Sequence, residues 1–354
     1  MPTMIPLTTH FDELLKATQP PSDRIEAAQE CHPLVREYLE SLDTFETISP
    51  HSRLVGSYAQ KLSVGDVKDV DILVRVAGDP SKNDPNAKQL LKNLKKALEG
   101  LPEYLGYVGT SQFDINGARR SVHVYFKDKD FHLDIVPCIA PDGFDHPIYV
   151  PDRGFEKWIE SHPLGYIAKL NTLNNAHRKK VKKLAKIFKH YVRYSMVYMR
   201  PKSYWLGSML LNTIDAKGFD DRLSLGELFY WFVDELHKQY DHLLWVNPNA
   251  TPNIHDPVLG HNVSHSWTRN DFVSFLRHLD EARKRAAKAL EASTAEDAVK
   301  HWRVLFGDAF PESVEDEAKT LAALFTPGAA VVTGLTAAPR IATAVPVTRF
   351  HGDQ

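Results

Sequence analysis

A chain of 354 residues with 43% hydrophobic and 25% charged residues has enough apolar mass for a full core and enough length for two lobes. Its formal net charge of −2 gives no global electrostatic case for tracking nucleic acid or an anionic membrane. Two cysteines, Cys31 and Cys138, exclude a disulfide framework, and no apolar run approaches the ~20 residues that span a bilayer. The segment Met1-Pro2-Thr3-Met4-Ile5-Pro6 lacks a basic stretch followed by an apolar one, so a cytoplasmic location is expected.

Residues 11–45 place Leu15, Ile25, Ala28, Val35, Tyr38 and Leu39 at helical spacing. Pro20-Pro21 divides that stretch, with Ser22-Asp23 as the expected cap of its second part. Strands dominate residues 46–140. Lys68 to Val76 reads as one strand rich in β-branched residues. Ser121–Phe126 and Phe131–Val136 read as a hairpin around the polar turn Lys127-Asp128-Lys129-Asp130. A helix is expected at Asn86–Leu98, between the strand at Lys68–Val76 and that hairpin, and the β-helix-β mixture predicts a sheet covered by helices. From about Tyr166 the pattern is helical. Arg178–Met199 carries Val181, Leu184, Ala185, Phe188, Tyr191 and Val192 on one face, with Lys179, Lys182, Lys186, Lys189 and Arg193 opposite. A long helix over Arg269–Ala292 precedes the string Trp302 to Pro311. Beyond about Phe325 the chain is rich in Ala, Val, Thr and Pro, lacks clear periodicity and is expected to be flexible, apart from a β-like patch at 330–333.

Gly56-Ser57, then eleven residues, then Asp69-Val70-Asp71, with Asp134 in His132-Leu133-Asp134-Ile135-Val136, carries the chemistry. A glycine lets the backbone approach a ligand closely, and the Ser57 hydroxyl with nearby N–H groups can point at phosphate oxygens. Strand period two sets Asp69 and Asp71 on one face and Val70 and Ile72 in the core. A neighbouring strand can deliver Asp134 to the same face. Magnesium takes oxygen ligands at roughly 2.0–2.1 Å and shares them with substrate phosphates. A pair of such ions about 3.5–4 Å apart serves in-line displacement at phosphorus. Asp-x-Asp alone is a common string; its combination with Gly-Ser and a third Asp on a later strand is what gives it weight.

These residues resemble the DNA-polymerase-β-type nucleotidyltransferase signature. Gly-Ser-Tyr-Ala, Asp-Val-Asp-Ile-Leu-Val and Leu-Asp-Ile-Val-Pro together resemble the bacterial CD-NTases, relatives of cyclic GMP-AMP synthase and 2′-5′ oligoadenylate synthase that act in anti-phage CBASS defence. The similarity runs from about residue 35 to about residue 312. It takes in Trp158–Pro163, Leu184-Ala185-Lys186, Ser203-Tyr204, His255-Asp256-Pro257, Asn262-Val263 and the closing Trp-x-x-Leu-Phe-Gly-x-x-Phe-Pro string at Trp302–Pro311. Lys61-Leu62 departs from the Gly-Thr usual there, which leaves the phosphate contacts of Gln60–Val64 open. The resemblance implies an α/β (α+β) two-lobed fold, with a mixed sheet in the N-terminal lobe and a helical C-terminal lobe. The expected divisions are 1–165 for the catalytic lobe with its N-terminal helix, 166–325 for the helical nucleotide-binding lobe and 326–354 for the tail.

The implied activity joins NTPs into a cyclic di- or trinucleotide with release of pyrophosphate. Asp69, Asp71 and Asp134 are the implied catalytic and metal-binding residues, for two Mg²⁺ ions with Mn²⁺ as a substitute. Gly56, Ser57 and Lys186 are implied at the triphosphate, Ser203 beside it and Tyr204 stacked on the donor base. ATP, with GTP or other NTPs, is the implied substrate. A downstream effector would bind the product, and conjugation or regulatory proteins would be encoded in the same operon; a nucleic-acid activator stays open. The alternatives are a linear polymerase, oligoadenylate synthase-like or CCA-adding-like, and a catalytically dead nucleotide or RNA sensor. The basic run 176–202 holds ten Lys or Arg residues and no acid; apart from Lys186 it reads either as a solvated face or as an RNA- or nucleotide-attracting patch. Trp205 is expected in the core. His255, His261 and His265 lack a nearby cysteine, which argues against a zinc site; the resemblance instead implies that Asp256-Pro257 and Asn262 shape a turn beside the nucleotide cleft. His123 reads as a strand residue with a satisfied hydrogen bond, close enough to the metal strands to reach substrate.

Overall fold

The computed structural model describes residues 7–65, 69–107, 112–247 and 249–313. The tail and its β-like patch lie outside the described residues.

In chain order the elements are helix α1 (Thr8–Ala17), α2 (Ser22–Glu40), strand β1 (Ser52–Val55), α3 (Gly56–Ala59), β2 (Asp69–Val76), α4 (Ala87–Leu98), α5 (Leu101–Tyr104), β3 (Phe113–Gly117), β4 (Val122–Phe126), β5 (Phe131–Ile139), β6 (Ile148–Asp152) and β7 (Lys157–Ser161). Helices follow: α6 (Pro163–Ala176), α7 (Lys180–Ser195), α8 (Ser203–Lys217), α9 (Leu225–Tyr240), α10 (Leu243–Val246), α11 (Arg269–Glu291) and α12 (Ala295–Phe306). The fold is α/β with a mixed sheet, as the motifs implied. The expected helix after Pro20-Pro21 forms, but no side chain caps it: its N-cap is Pro21, whose φ of −55° is already helical in character. Asn86 does cap α4, accepting from the N–H groups of Lys88 and Gln89. Helix α7 stops at Ser195, earlier than the expected Met199.

The seven-stranded sheet runs β1-β2-β5-β4-β3, with β6 beside β5 and β7 beside β6. β2 and β5 are parallel, and the other pairs are antiparallel. The hairpin predicted around Lys127–Asp130 forms, with Phe126 opposite Phe131. Val70, Ile72, Leu133 and Ile135 are buried on one face under α2 and α4, through Ala28, Val35, Leu90 and Leu94. Burying four such branched side chains at about 25 cal/mol per Å² pins the register, because a slip by one residue would turn them outward.

The helical part packs round α7. Leu184, Phe188 and Val192 meet Phe229, Phe232, Leu276 and Trp302 in one cluster. The closing string supplies its seal: Trp302, Phe306 and Phe310 surround Phe11, with the Phe11–Trp302 ring centroids 5.1 Å apart. Gly307 turns the chain at φ +63°, and an added Cβ would lie 2.6 Å from the Tyr194 ring. Phe11, Leu14 and Leu15 place α1 in this helical core rather than against the sheet, a difference from the expected division. The α1 sequence is simply amphipathic and does not specify which apolar surface it covers. Trp205 is buried against Trp267, as expected of a core residue. Among the described residues no helix is long and apolar enough to cross a membrane.

Candidate active site

The strand register builds the acidic side of the site. β2 and β5 pair with Asp69 opposite His132 and Asp71 opposite Asp134, so the two carboxylates occupy neighbouring positions on one face. β1 runs antiparallel to β2 with Val55 opposite Asp71, which brings the chain out of the sheet at Gly56 beside that carboxylate. Gly56 has φ +67°, and a Cβ built there would lie 1.8 Å from Asp71 Oδ2. Only glycine fits both the left-handed backbone and the close approach.

Asp71 is pushed up to about 7, by burial first and then by the charges of Asp134 and Asp69. Asp134 is also raised, mainly by burial, with His123 opposing. His123 Nδ1 hydrogen-bonds Asp134 Oδ1, so the satisfied partner expected for this histidine is itself a candidate catalytic group. Among the described residues, no three His, Cys, Asp or Glu side chains converge on a common metal position as they stand. The donor set nevertheless suits a hard divalent cation. All three groups are carboxylates on adjoining strand positions, and their mutual repulsion is what a bound cation would relieve.

The opposite wall is helical. A cavity of about 870 Å³ is lined by Gly56, Ser57, Asp69, Asp71 and Asp134 from the sheet side and by Lys189, Arg193, Ser203 and Tyr204 from the helical side. Seven of the eight predicted site positions thus share one cavity. Lys186 does not line it: its ammonium lies 3.4 Å from Gln19 Oε1, in the connection between α1 and α2. Lys189, one turn further along α7, does. It is 8% exposed and donates to the Leu62 carbonyl at 2.9 Å. Burial, then Arg193, pulls Lys189 down to about 8, while Asp69 pulls it up. Arg193 donates to the Val64 carbonyl. The departure at Lys61-Leu62 acquires a physical role here, since Leu62 is buried in the helical core and its carbonyl anchors Lys189.

Arg200 and Lys202, on the α7–α8 connection, also line the cavity, as do His123 and His132. Lys189 and Arg193 were visible as members of a cationic stripe. Arg200 and Lys202 belonged to the basic run, but nothing in spacing marked them as cavity residues. The turn at His255–Asn262 is held by a bridge between those two residues. His255 Nδ1 is paired with the Gly260 carbonyl within that turn.

Comparison with known proteins shows what the chain is similar to. Residues 5–174 match the Second Messenger Oligonucleotide or Dinucleotide Synthetase domain, SMODS. A cyclic AMP-AMP-AMP synthase of Acinetobacter sp. is 26% identical over 314 residues, which cover 86% of this chain and 85% of that protein. The structure of Escherichia coli MS115-1 CdnC with ATP superposes with a TM-score of 0.66 at 18% identity, covering 86% of this chain and 98% of that one. The Bradyrhizobium diazoefficiens CD-NTase CdnG in complex with GTP gives a TM-score of 0.61 at 18% identity, covering 90% and 98%. At those identities the two structures speak for the shared fold.

Proposed function

We propose that this chain is a cytoplasmic synthase of cyclic oligonucleotide second messengers of the CD-NTase kind, joining NTPs with release of pyrophosphate. The observation that carries the reading is the parallel register of Asp71 with Asp134, with Gly56-Ser57 leaving the sheet beside them. Asp69, Asp71 and Asp134 would hold Mg²⁺, or Mn²⁺ in its place, and the bound cation supplies Lewis-acid charge at the reacting phosphates.

The chain's own groups do the rest. Ser57 and the N–H groups at the start of α3 bind phosphate oxygens, and the backbone there can approach closely because residue 56 has no side chain. Lys189 and Arg193 face the carboxylates across the cavity and neutralise the remaining phosphate charge. Lys189 takes the role expected of Lys186, because among the lysines of α7 it is the one that lines the cavity. Ser203 adds a hydroxyl, and Tyr204 offers a ring face to the base. The cavity is large enough for more than one nucleotide to contribute atoms to a transfer. A second transfer within the linear intermediate closes the ring.

ATP is the first substrate to test, in view of the Acinetobacter relative's name, with GTP beside it. A downstream effector that binds the product, and conjugation or regulatory proteins encoded alongside, complete the expected setting. Purified protein offered all four NTPs with Mg²⁺ or Mn²⁺, followed by mass spectrometry, tests the assignment. Phosphatase-resistant, phosphodiesterase-sensitive products with no terminal phosphate are expected. A phosphatase-sensitive ladder would make it a linear polymerase, and absence of any transfer would make it a sensor.

A further inference from the structure

Tyr204 is held by a residue far along the chain. Its hydroxyl donates to Asp256 Oδ2 at 2.6 Å, and Asp256 is only 5% exposed. The other oxygen, Oδ1, accepts the N–H groups of Val258 and Leu259 at 2.8 and 2.9 Å. That turn is tied to the helices twice more: Asn212 of α8 donates to the His255 carbonyl, and Lys169 of α6 to the Pro257 carbonyl, both at 2.8 Å. The Tyr166 ring packs on Tyr204 at 5.1 Å between centroids with a 41° tilt. The Tyr204 ring is therefore gripped at its hydroxyl and packed on by a second ring, while it still lines the cavity.

We propose that Asp256 is a positioning residue for nucleobase recognition: by accepting the Tyr204 hydroxyl it fixes the ring on which a base stacks in the cavity. The proposal rests on the nucleotidyltransferase reading and deepens it. A tyrosine near a helix start has two side-chain torsions free to vary. A stacking surface returns its full benefit only when those torsions are settled before the ligand arrives. A buried carboxylate already fixed by two backbone donors is a rigid acceptor for this purpose. The phosphate contacts lie elsewhere, on Ser57, Lys189 and Arg193, so base affinity and phosphate affinity should separate on substitution.

Calorimetry with a non-hydrolysable ATP analogue and with inorganic tripolyphosphate, both with Mg²⁺, tests this on the full chain. Asp256→Ala is expected to weaken the ATP analogue about 5–10-fold and to leave tripolyphosphate unchanged, because only the stacking contribution is lost. Asp256→Asn keeps an oxygen for the Val258 and Leu259 N–H groups and turns an amide N–H toward the Tyr204 hydroxyl, which can accept it, so it should recover most of the loss. Added to Tyr204→Phe, Asp256→Ala should weaken the analogue little further. Equal weakening of both ligands by Asp256→Ala overturns the proposal, since the turn then merely supports the cavity wall. So does a full additional loss in the Tyr204→Phe background. Should Asp256→Ala not fold, Tyr204→Phe decides alone: an unchanged affinity for the ATP analogue overturns the proposal. Pyrophosphate release by the wild-type protein is measured alongside. Its absence fails the enzymatic reading, whereas release without a base-specific loss overturns only the role of Asp256.

Discussion

The two walls of the cavity hold opposite charges by different means. On the sheet side, short carboxylate side chains stand on β2 and β5, where backbone pairing sets Asp71 against Asp134. On the helical side, Lys189 and Arg193 reach in on long side chains and are steadied by the carbonyls of Leu62 and Val64. An acid placed by strand register has almost no alternative position. A lysine on a helix has neighbours three and four residues away that differ little in sequence but greatly in burial. Substitutions on the sheet side should therefore be sharp, and those on the helical side graded.

The sharpest break expected is Asp71→Asn. The change is nearly isosteric and removes a charge that its buried setting already disfavours, so the protein should remain folded. Loss of a positioned electrostatic contact of this kind costs ~10²-fold or more in turnover. Turnover near the wild-type value in a pyrophosphate-release assay would remove the carboxylate cluster from the mechanism. Asp69→Asn and Asp134→Asn should follow the same direction.

Gly56→Ala comes next. The added methyl group collides with Asp71 Oδ2 on a backbone at φ +67°, so α3 or the carboxylate must move. A loss of at least about tenfold in kcat/KM is expected, because misplacement by about 1 Å is enough to degrade an aligned site. A crystal structure with Asp71 unmoved and full activity would show that this close contact is dispensable.

On the helical side, Lys189→Gln should raise the KM for the nucleotide by about tenfold, with a smaller effect on kcat, as for a group that binds phosphate before and during transfer. Lys186→Gln should change KM by no more than about twofold, since its charge sits outside the cavity beside Gln19 and is mostly screened. The reverse ranking would restore Lys186 as the phosphate ligand and show that the α7 side chains rearrange when nucleotide binds.

The smallest effect is a pH dependence. Lys189 is cationic below about 8 and sheds its proton above it, well before an ordinary lysine. Nucleotide affinity should fall as pH rises through about 8, and this inflection should be missing in Lys189→Gln. The linkage to folding has the opposite sign. Between about 8 and the ordinary lysine range the unfolded chain binds more protons, so this group makes the unfolding free energy rise with pH across that window. Chemical denaturation of both proteins at pH 7.5 and 9.5 should show the wild-type gain shrinking in the variant.

The acidic half of the site was legible because strand geometry is local. Period two is enough to place Asp69 and Asp71 together on one face, and the hairpin turn at Lys127–Asp130 is enough to make β5 a separate strand carrying Asp134. The Gly56-Ser57 pair could be read as a phosphate contact from residue chemistry, although the reason for the glycine, the carboxylate of Asp71 beneath it, is a tertiary contact. The cationic half was legible only as a stripe. Which of Lys182, Lys186 and Lys189 enters the cavity depends on how α7 is rotated, and that is decided by Leu184, Phe188 and Val192 seeking the cluster built by α9, α11 and α12.

The placement of α1 and the hold of Asp256 on Tyr204 were likewise out of reach, since each joins segments distant in the chain. The sequence by itself determined the residue types of the candidate site, the strand that bears them and the class of fold, because residue type, short spacing and alternation act within a few residues. The tertiary structure alone decided which cations face the carboxylates and what steadies the aromatic ring, because those outcomes follow from packing many apolar side chains at once.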